Sequence, residues 1–374
     1  MLNPVLNILS TIVIFQLLLL AVFLFTVNKG KPASNKLLAI FFLWLAFNLG
    51  DGLLSYYGFY NKFPQLAHLE DGFVFLVGPI LYFYTRSIIY RRFKLAPKNI
   101  IHLVPFAVFT ILFQLFYHLQ PEEFQKVIQS AIQQQQLPAG FYFSIVVVYA
   151  HIVAYLYYAY RDIVYYRGQL REKFSHLGRR NLDWLMFMIV SVGILLLLSF
   201  VYSFLPLATR TLFNSGLIVL MGFIFGFINT IVWKALKQPG IFSGVDDELK
   251  KEKYAGSTLS EAERRDGCLR LDNLMTLEKP YLRADFTLEQ LAAKTSMTPK
   301  KLSQLINENY HQNFFDFINS FRILEAQRLL KESTDAKLTV LEVMYQTGFN
   351  SKSSFNTLFK KKTGQTPTEF KKTL

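Results

Sequence analysis

Long apolar stretches occupy the first two thirds of the chain. Seven of them are long enough to cross a bilayer as helices, because about 20 helical residues at about 1.5 Å each span its apolar core. The first stretch lacks the basic start and the small-residue cleavage site of a signal peptide, so it is interpreted as a span. The pattern predicts a seven-helix transmembrane domain over residues 1–235, with spans near 5–27, 37–59, 70–90, 100–118, 140–160, 183–206 and 211–233.

Residues 268–374 have a different pattern, in which short amphipathic helices are separated by turn residues. A first unit places a helix at Thr287–Lys294, a turn at Thr295–Met297, and a second helix opened by Thr298 and Pro299 as its N-cap and first residue. The second helix buries Leu302, Leu305 and Ile306 in this reading. The spacing therefore predicts a helix, a tight turn and a second helix.

The same layout recurs further along the chain. Thr339–Gln346 forms the first helix of the second unit, Gly348 supplies the turn, and Asn350 is expected to cap the next helix. Between the two units Phe314–Lys331 has an uninterrupted helical pattern, about 27 Å long. The fold class is therefore predicted as all-α: a seven-helix transmembrane bundle followed by a tandem helix-turn-helix domain.

Charge changes this picture by giving the spans an orientation. The chain has a formal net charge of +14, of which +10 lies in residues 1–235. Lys and Arg concentrate in alternate loops between spans, and positive loops stay on the cytoplasmic side. We therefore expect the N-terminus outside, a cytoplasmic linker over residues 236–267, and the tandem domain over residues 268–374 in the cytoplasm.

Composition excludes several classes of protein. The single cysteine, Cys268, rules out a disulfide framework and a cysteine-rich zinc site. The 16% aromatic content argues against disorder. Metalloprotease, P-loop and CxxC motifs are absent from the sequence, so neither an enzyme nor a cofactor or metal site is expected.

The second helix of such a unit typically enters a DNA major groove. Residues 270–373 resemble the DNA-binding domain of AraC/XylS-type transcription activators, and the whole chain resembles a bacterial subgroup that carries this domain behind a multi-span membrane sensor. Met344-Tyr345 departs from the small residues frequent there, and we expect this pair to repack the core. The resemblance is carried by Leu288–Ala293, Pro299–Leu302, Asn319–Leu330 with Arg322 and Ala326, Gly348-Phe349, Ser353–Lys360 and Gly364–Pro367.

Candidate DNA contacts lie on the polar faces of the two recognition helices. Lysine can reach guanine acceptors and Asn or Gln can pair with adenine, whereas lysines near a helix end more often meet phosphate. The resemblance assigns base reading to Lys300, Ser303 and Gln304. The full candidate set is Lys300, Ser303, Gln304, Asn307, Lys352, Ser353, Asn356, Thr357 and Lys360, with Lys361, Lys362, Lys371 and Lys372 as further phosphate contacts.

The resemblance also implies double-stranded DNA and RNA polymerase as partners, activation of transcription, and a multi-pass protein of the bacterial inner membrane. A GxxxG pair, Gly222 and Gly226, allows either close packing inside the bundle or a homodimer. The competing interpretation is a membrane receptor or transporter whose cytoplasmic helices act through protein contacts. The salt dependence of binding separates the two interpretations.

Ionisable residues are the candidates for sensing: Asp51, Glu70 and Asp71 in the outer part of their spans and His151 near the middle of the fifth span. Ionisable groups inside a bilayer are energetically unfavourable, so the ones that occur there often mark a functional site. Asp51, Glu70, Asp71 and His151 form the candidate site for a small ligand or a proton; the alternative is that they satisfy interhelical hydrogen bonds or meet interfacial water. The outer loop 121–138 has one apolar helical face, which indicates a helix on the outer surface or a lid over a pocket.

Overall fold

The chain is described by a computed structural model over residues 4–27, 31–90, 93–133, 139–204, 210–237, 259–332 and 338–373. These residues are helical, apart from loops and an isolated antiparallel bridge between Phe174 and Thr287. The all-α fold class is thereby confirmed. Two compact units emerge, one from residues 4–164 with 182–237 and one from residues 165–181 with 259–373.

The first unit contains seven helical segments that are long and apolar enough to cross a membrane, in the part of the chain described. They coincide with the seven predicted spans. The fourth begins with a 3-10 segment at Pro97–Leu103 and ends with a π-helical turn at Gln114–His118. The main helices are α1 (Pro4–Thr26), α2 (Pro32–Tyr56), α4 (Val74–Ile89), α5 (Val104–Phe113), α7 (Ala139–Lys173), α8 (Asp183–Phe204) and α9 (Arg210–Lys237), with α3 (Phe59–Lys62) and α6 (Glu122–Gln133) as connectors.

Exposed side chains on these helices are as apolar as buried ones. On α1, Val13 and Leu17 are fully buried, whereas Phe15 and Leu19 are 65% and 59% exposed. A water-soluble protein rarely exposes apolar patches of this extent. The exposed apolar surface agrees with the length and apolar composition of the seven helical segments.

Two glutamines of α6, Gln125 and Gln129, are buried in the structure. Gln125 is buried and its Nε2 donates to the carbonyls of Tyr117, His118 and Gln120, which end the fourth span. Carbonyls at a helix end lack intrahelical partners, so an amide that reaches them is favourable. Of the predicted apolar face, Phe124 and Val127 are 44% and 62% exposed, whereas Ile128 packs against the buried cluster of Tyr60, Ala67 and Tyr117.

The second unit contains seven helices among its described residues 259–373, together with the end of α7. Their caps come from Ser, Thr and glutamate side chains, most often in the reciprocal capping box. The helices are α10 (Glu261–Leu277), α11 (Leu288–Lys294), α12 (Pro299–Tyr310), α13 (Phe314–Glu332), α14 (Val340–Gln346), α15 (Lys352–Thr363) and α16 (Pro367–Lys372).

Two separate apolar cores hold these helices together. The first is built around Leu291, Leu302 and Phe317, and the second around Val343, Phe355 and Phe359. All members of both cores lie between residues 259 and 370. A fragment of residues 256–374 therefore contains all apolar members of both cores, whereas the compact unit also includes residues 165–181.

Two details of the prediction are wrong. Ser351, and not Asn350, caps α15, because the Ser351 hydroxyl accepts from the N–H of Ser354. Of the pair expected to repack the core, Met344 is buried but Tyr345 is 60% exposed. Ser260 caps α10. Most of the predicted linker, residues 238–258, lies outside the described residues.

Candidate nucleic-acid interface

The first helix-turn-helix unit consists of α11 and α12, and its turn is fixed by local hydrogen bonds. The Thr287 hydroxyl caps α11 by accepting from Gln290 N–H, and Thr298 caps α12 by accepting from Lys301 N–H. Between the helices the hydroxyl of buried Thr295 donates to the carbonyl of Leu291 at 3.1 Å. These contacts set the start of α12, which is the first recognition helix.

Glu263 ties the first recognition helix to α10. The Nζ of Lys301 donates to Glu263 Oε1 at 2.7 Å, and Glu263 also closes the capping box with Ser260. The Lys301 ammonium, followed by the N–H and hydroxyl of Ser260, lowers the pKa of Glu263 to about 2. The carboxylate therefore stays ionised in the folded domain near neutral pH.

The second unit consists of α14 and α15, joined by a turn at Gly348. This glycine has φ +81°, and a Cβ there would lie 2.7 Å from the carbonyl oxygen of Leu282 and 2.8 Å from that of Tyr281. Only glycine combines that backbone conformation with so close an approach. Gly348 therefore packs the second turn against the segment that precedes the first unit.

Helix α13 connects the two units and is nearly as long as predicted, at 19 residues or about 28 Å. Successive major grooves on one face of a duplex repeat at about 34 Å. A rigid helix of this length can hold two recognition helices near that spacing. Arg322, buried within α13, donates to the carbonyls of Tyr281, Arg283 and Ala284, and burial lowers its pKa to about 10.

The second recognition helix, α15, presents a polar face to solvent. Lys352, Ser353, Thr357 and Lys360 are exposed and Asn356 is half-buried. The last turn adds Lys361 and Lys362. This surface has the lysine, amide and hydroxyl groups that contact base edges and phosphates.

The corresponding residues of α12 have different surroundings. Ser303 is only 2% exposed, and its Oγ donates to Glu172 Oε2 at 2.9 Å. Asn307 is exposed but its Nδ2 reaches the same carboxylate oxygen at 3.4 Å. Gln304 donates to Glu308 on the same helix, and Lys300 is half-buried.

The remaining lysines at the end of the domain divide into two kinds. Lys371 donates to the carbonyl of Leu338 at 2.5 Å, so its ammonium makes a hydrogen bond within the domain. Lys372 is exposed in the last turn of α16, where basic residues complement the helix dipole. Lys372 therefore remains available for a phosphate, whereas a contact by Lys371 would first break an internal bond.

The candidate sensing residues in the first unit fall into two places. Asp51 accepts from the hydroxyl of Tyr60, and Glu70, which is buried, accepts from Asn48 Nδ2 at 3.1 Å. Asp71 meets His68 Nδ1 at 2.9 Å. Asp51, Glu70 and Asp71 also interact with one another electrostatically, so the three carboxylates form one cluster.

His151 is not part of this carboxylate cluster. Its ring packs against Phe75 and Tyr155 at centroid distances of 5.3 and 5.0 Å. Neither ring nitrogen has a hydrogen-bond partner among the described residues. The titratable group that interacts with it electrostatically is His102, which the sequence pattern did not single out.

Residues missed by the pattern include His68, which links the carboxylate cluster to α6. Its Nε2 lies 2.8 Å from Nε2 of Gln129, and Gln129 also donates to the Tyr117 hydroxyl at 3.0 Å. Glu172 and Ser175 are the other omissions. No sequence signal marks either one, because each acts through contacts with residues more than 100 positions away.

Comparison with known proteins agrees with this geometry. Residues 291–373 match the family model described as a helix-turn-helix domain. The C-terminal domain is an AraC-type helix-turn-helix domain. The matched range begins inside α11 and ends after α16, so it contains both recognition helices of the AraC-type domain.

Individual relatives of the AraC-type domain are named as transcriptional regulators. The HTH-type transcriptional regulator GlxA of Rhizobium meliloti (strain 1021) is 32% identical over 25% of this chain and 29% of the relative. The HTH-type transcriptional activator RhaR of Salmonella dublin is 27% identical over 33% of this chain and 42% of the relative. The chain thus spans less than half the length of either relative.

A solved structure is also similar to part of the chain. It is a DNA-binding transcriptional dual regulator from Escherichia coli K-12, with 22% identity over 32% of this chain and 96% of that one, at a TM-score of 0.23.

Proposed function

We propose that this protein is a membrane-tethered, sequence-specific DNA-binding transcription regulator. The observation that carries the proposal is the pair of recognition helices, α12 and α15, on a connecting helix of about 28 Å. The seven apolar helices of the first unit support a multi-pass protein of the bacterial inner membrane. The regulatory names of the relatives support the same reading for the AraC-type domain.

The two recognition helices have complementary tasks in this proposal. Lys300, Ser303 and Gln304 read one short box, and Ser353, Asn356 and Thr357 read a second box one helical turn away. Each good base contact contributes about 1–3 kcal/mol of discrimination. Lys352, Lys360, Lys361 and Lys362 neutralise phosphates, which fixes the register of the domain on the duplex.

Activation of transcription follows in this proposal from contact with RNA polymerase. The helices of the first unit receive a signal from outside or from the bilayer, and they act on the AraC-type domain by favouring one of its states. Such coupling needs a ligand that binds two states with different affinity. Asp51, Glu70, Asp71 and His151 remain candidates for that ligand or for a proton, and Gly222 with Gly226 for a homodimer contact.

Selection from a random duplex library tests the proposal. Full-length protein in nanodiscs is incubated with the library, and the bound sequences are recovered and compared with those bound by Lys300→Ala and Asn356→Ala variants. We expect two enriched boxes about one helical turn apart, each weakened by one of the two substitutions. The absence of any enriched sequence, with the protein shown to be folded, would contradict DNA reading.

A protein-binding receptor is the competing interpretation, and salt dependence separates it from a DNA reader. Binding that neutralises phosphates releases counterions, so its affinity falls steeply as salt rises. Measured affinity for the selected duplex should therefore drop by orders of magnitude between low and physiological salt. A shallow dependence would favour contacts with protein.

A further inference from the structure

The cytoplasmic end of α7 contacts the first recognition helix within the second unit. Glu172 presents one carboxylate oxygen to two candidate base-reading residues, at 2.9 Å from Ser303 Oγ and 3.4 Å from Asn307 Nδ2. Next to it the Arg171 guanidinium lies over the Phe315 ring, 5.8 Å from its centroid. Residues 171–175 are called the docking segment below.

Main-chain hydrogen bonds attach the docking segment to the residues before α11. Phe174 and Thr287 form an antiparallel bridge. The Ser175 N–H donates to the Phe286 carbonyl at 3.2 Å, and the Ser175 hydroxyl donates to the same oxygen at 2.5 Å. Ser175 is only 1% exposed, so the attachment is a buried contact.

Two polar residues of α13 complete the attachment. Asn319 Nδ2 donates to the Ser175 carbonyl at 3.1 Å, and Arg322 reaches the same carbonyl at 3.4 Å and the Ser175 hydroxyl at 3.3 Å. Asn319 and Arg322 are themselves buried. The docking segment is therefore held by the connecting helix as well as by the recognition helix.

The second recognition helix provides an internal comparison. Ser353 and Thr357 of α15 are exposed, and no hydrogen bond joins either side chain to another described residue. Ser303 and Asn307 of α12 both meet Glu172. The two recognition helices thus differ in one respect that bears on DNA: Glu172 of the docking segment covers candidate base-reading residues of the first.

We propose that the docking segment competes with DNA for the first recognition helix, so that the protein is held in a masked state. The proposal rests on the DNA-binding function proposed above. A carboxylate oxygen 2.9 Å from Ser303 Oγ takes the space that a base edge needs. DNA and the docking segment therefore exclude one another.

Masking lowers the apparent affinity for DNA by the fraction of molecules that are open. The same linkage means that DNA favours release of the docking segment, and release favours DNA. Because the segment continues α7, a signal that displaces the end of this helix would expose the first recognition helix. The second recognition helix is accessible to DNA whether or not the docking segment is bound to the first.

The test compares DNA affinity of full-length variants in nanodiscs. Glu172→Ala removes the carboxylate and should tighten binding to a duplex with both boxes by about tenfold, or about 1.4 kcal/mol. Glu261→Ala is the matched control, because Glu261 is 80% exposed and pairs with Arg265 on its own helix. Equal affinities for wild type and Glu172→Ala would overturn the masking proposal while leaving DNA binding intact.

A cross-linking measurement reports docking without DNA. Arg171→Cys and Phe315→Cys are combined with Cys268→Ser, and a short bis-maleimide is added to the full-length protein. We expect an intramolecular cross-link that saturating duplex suppresses. A missing cross-link with both thiols reactive would overturn docking, as would a cross-link that bound DNA does not reduce. A cross-link in a protein that binds no duplex would instead overturn the proposed function.

A second inference comes from a cavity inside the first unit, and it is independent of the docking segment. The cavity has a volume of about 530 Å³ and is lined by residues of α1, α2, α4, α7, α8 and α9. Among the described residues that line it, none carries a charge. Cavities of this size accept a small ligand, and an uncharged lining favours an uncharged one.

Two polar atoms at this cavity lack hydrogen-bond partners among the described residues. They are Asn7 Oδ1, which can only accept, and Trp44 Nε1, which can only donate. Unsatisfied polar groups are costly where no water is present. A hydroxyl can donate to an atom of the first kind or accept from one of the second kind.

We infer that this cavity binds an uncharged amphiphile with an alkyl body and a hydroxyl end. Leu195, Leu220 and Ile224 supply apolar surface for the body. Ser199 and Ser203, near the end of α8, add further hydroxyl partners. The acidic residues Asp51, Glu70 and Asp71 are not part of this lining.

Bromoundecanol is a suitable probe, because bromine quenches tryptophan fluorescence on contact. In full-length Trp184→Phe/Trp233→Phe protein, Trp44 is the remaining tryptophan of the sequence. We expect saturable quenching by the alcohol, at least fivefold weaker affinity in Asn7→Leu, and loss of saturation in the cavity-filling variant Ser199→Phe. Bromoundecanoate, which carries a charge, is the matched control. Quenching that never saturates, or that Ser199→Phe leaves unchanged, would overturn the inference.

Discussion

Arg322 is a buried cation that donates its hydrogen bonds to main-chain carbonyls and not to a carboxylate. Its guanidinium donates to the carbonyls of Tyr281, Arg283 and Ala284 at 2.6 to 3.1 Å. Arg322→Met should lower the free energy of unfolding of fragment 256–374 by about 3 kcal/mol, because those carbonyls lose charged partners. Urea denaturation measures the change.

The matched control is Arg265→Ala, since Arg265 is 80% exposed and pairs within its own helix. Exposed pairs of this kind contribute about 0.3–0.5 kcal/mol. Comparable losses in the two variants would contradict a structural role for Arg322.

Gly348 and Gly364 form a pair with the same φ of +81° and different surroundings. Gly348→Ala should destabilise fragment 256–374 by about 3 kcal/mol, because the methyl group meets two carbonyl oxygens in addition to the backbone strain. Gly364→Ala should cost only about 1 kcal/mol, since nothing lies within 4 Å of its Cβ position. Urea denaturation of both variants checks the difference, and equal losses would refute the close approach at Gly348.

Capping glutamates give the AraC-type domain a predictable response to acid. The pKa of Glu263 is lowered to about 2 from its ordinary value of 4.5, and the pKa values of Glu342 and Glu369 are lowered by Thr339 and Thr366. A lowered pKa in the folded state stabilises the fold above pH 4.5, and this stability is lost as pH falls toward 2. The melting temperature of the fragment should therefore decline over this range.

Glu263→Gln isolates one of these contributions, because glutamine does not titrate. Its melting temperature should be lower at pH 7 and should fall less steeply between pH 4.5 and pH 2. Glu261→Gln, two residues away and outside the capping box, should keep the slope of the wild type. An unchanged slope in Glu263→Gln would contradict the capping role.

At the residue scale, helix N-caps were the feature that the sequence predicted best. Thr287 and Thr298 begin their helices where the sequence places them, since each hydroxyl bonds three residues ahead. The cap of α15 was missed by one residue because Asn350 and Ser351 are both good capping residues. Local chemistry decides which kind of residue caps a helix, and packing decides between neighbours.

At the scale of elements, α7 departs most from the prediction. Its apolar run predicts a span over residues 140–160, whereas the helix continues to Lys173 and is about 52 Å long. The extra turns are polar and end in the docking segment. The contact from Glu172 to Ser303 joins residues 131 positions apart, and no periodicity along the chain encodes such a pairing.

Helix α15 allows base reading and phosphate contact to be separated experimentally. Asn356→Ala should cost about 1–3 kcal/mol on the selected duplex and relax the sequence preference at one position. Lys360→Ala should weaken binding to all sequences alike and reduce the salt slope by about 1. Titrations at several salt concentrations measure both effects, and a Lys360→Ala variant with altered sequence preference would contradict the assignment.

At the scale of the whole molecule, the sequence predicted the number and kind of elements better than their partners. Seven apolar helices and two helix-turn-helix units follow from periodicity and from turn residues, because both are local signals. The inward glutamines of α6 and the neighbours of His151 do not follow, because they depend on which helices pack together. Contacts made by Gln125 illustrate the point, since the apolar stripe of α6 does not indicate which of its polar side chains are buried.

The central claim is that one chain both resides in a membrane and reads a DNA sequence. Two-colour co-diffusion tests it directly, with full-length protein in lipid-labelled nanodiscs and a duplex that carries the two selected boxes in a second colour. We predict that the duplex co-diffuses with the nanodiscs, and that scrambling either box or raising the salt abolishes this. Equal co-diffusion of the selected and the scrambled duplex, or none with either, would contradict the claim.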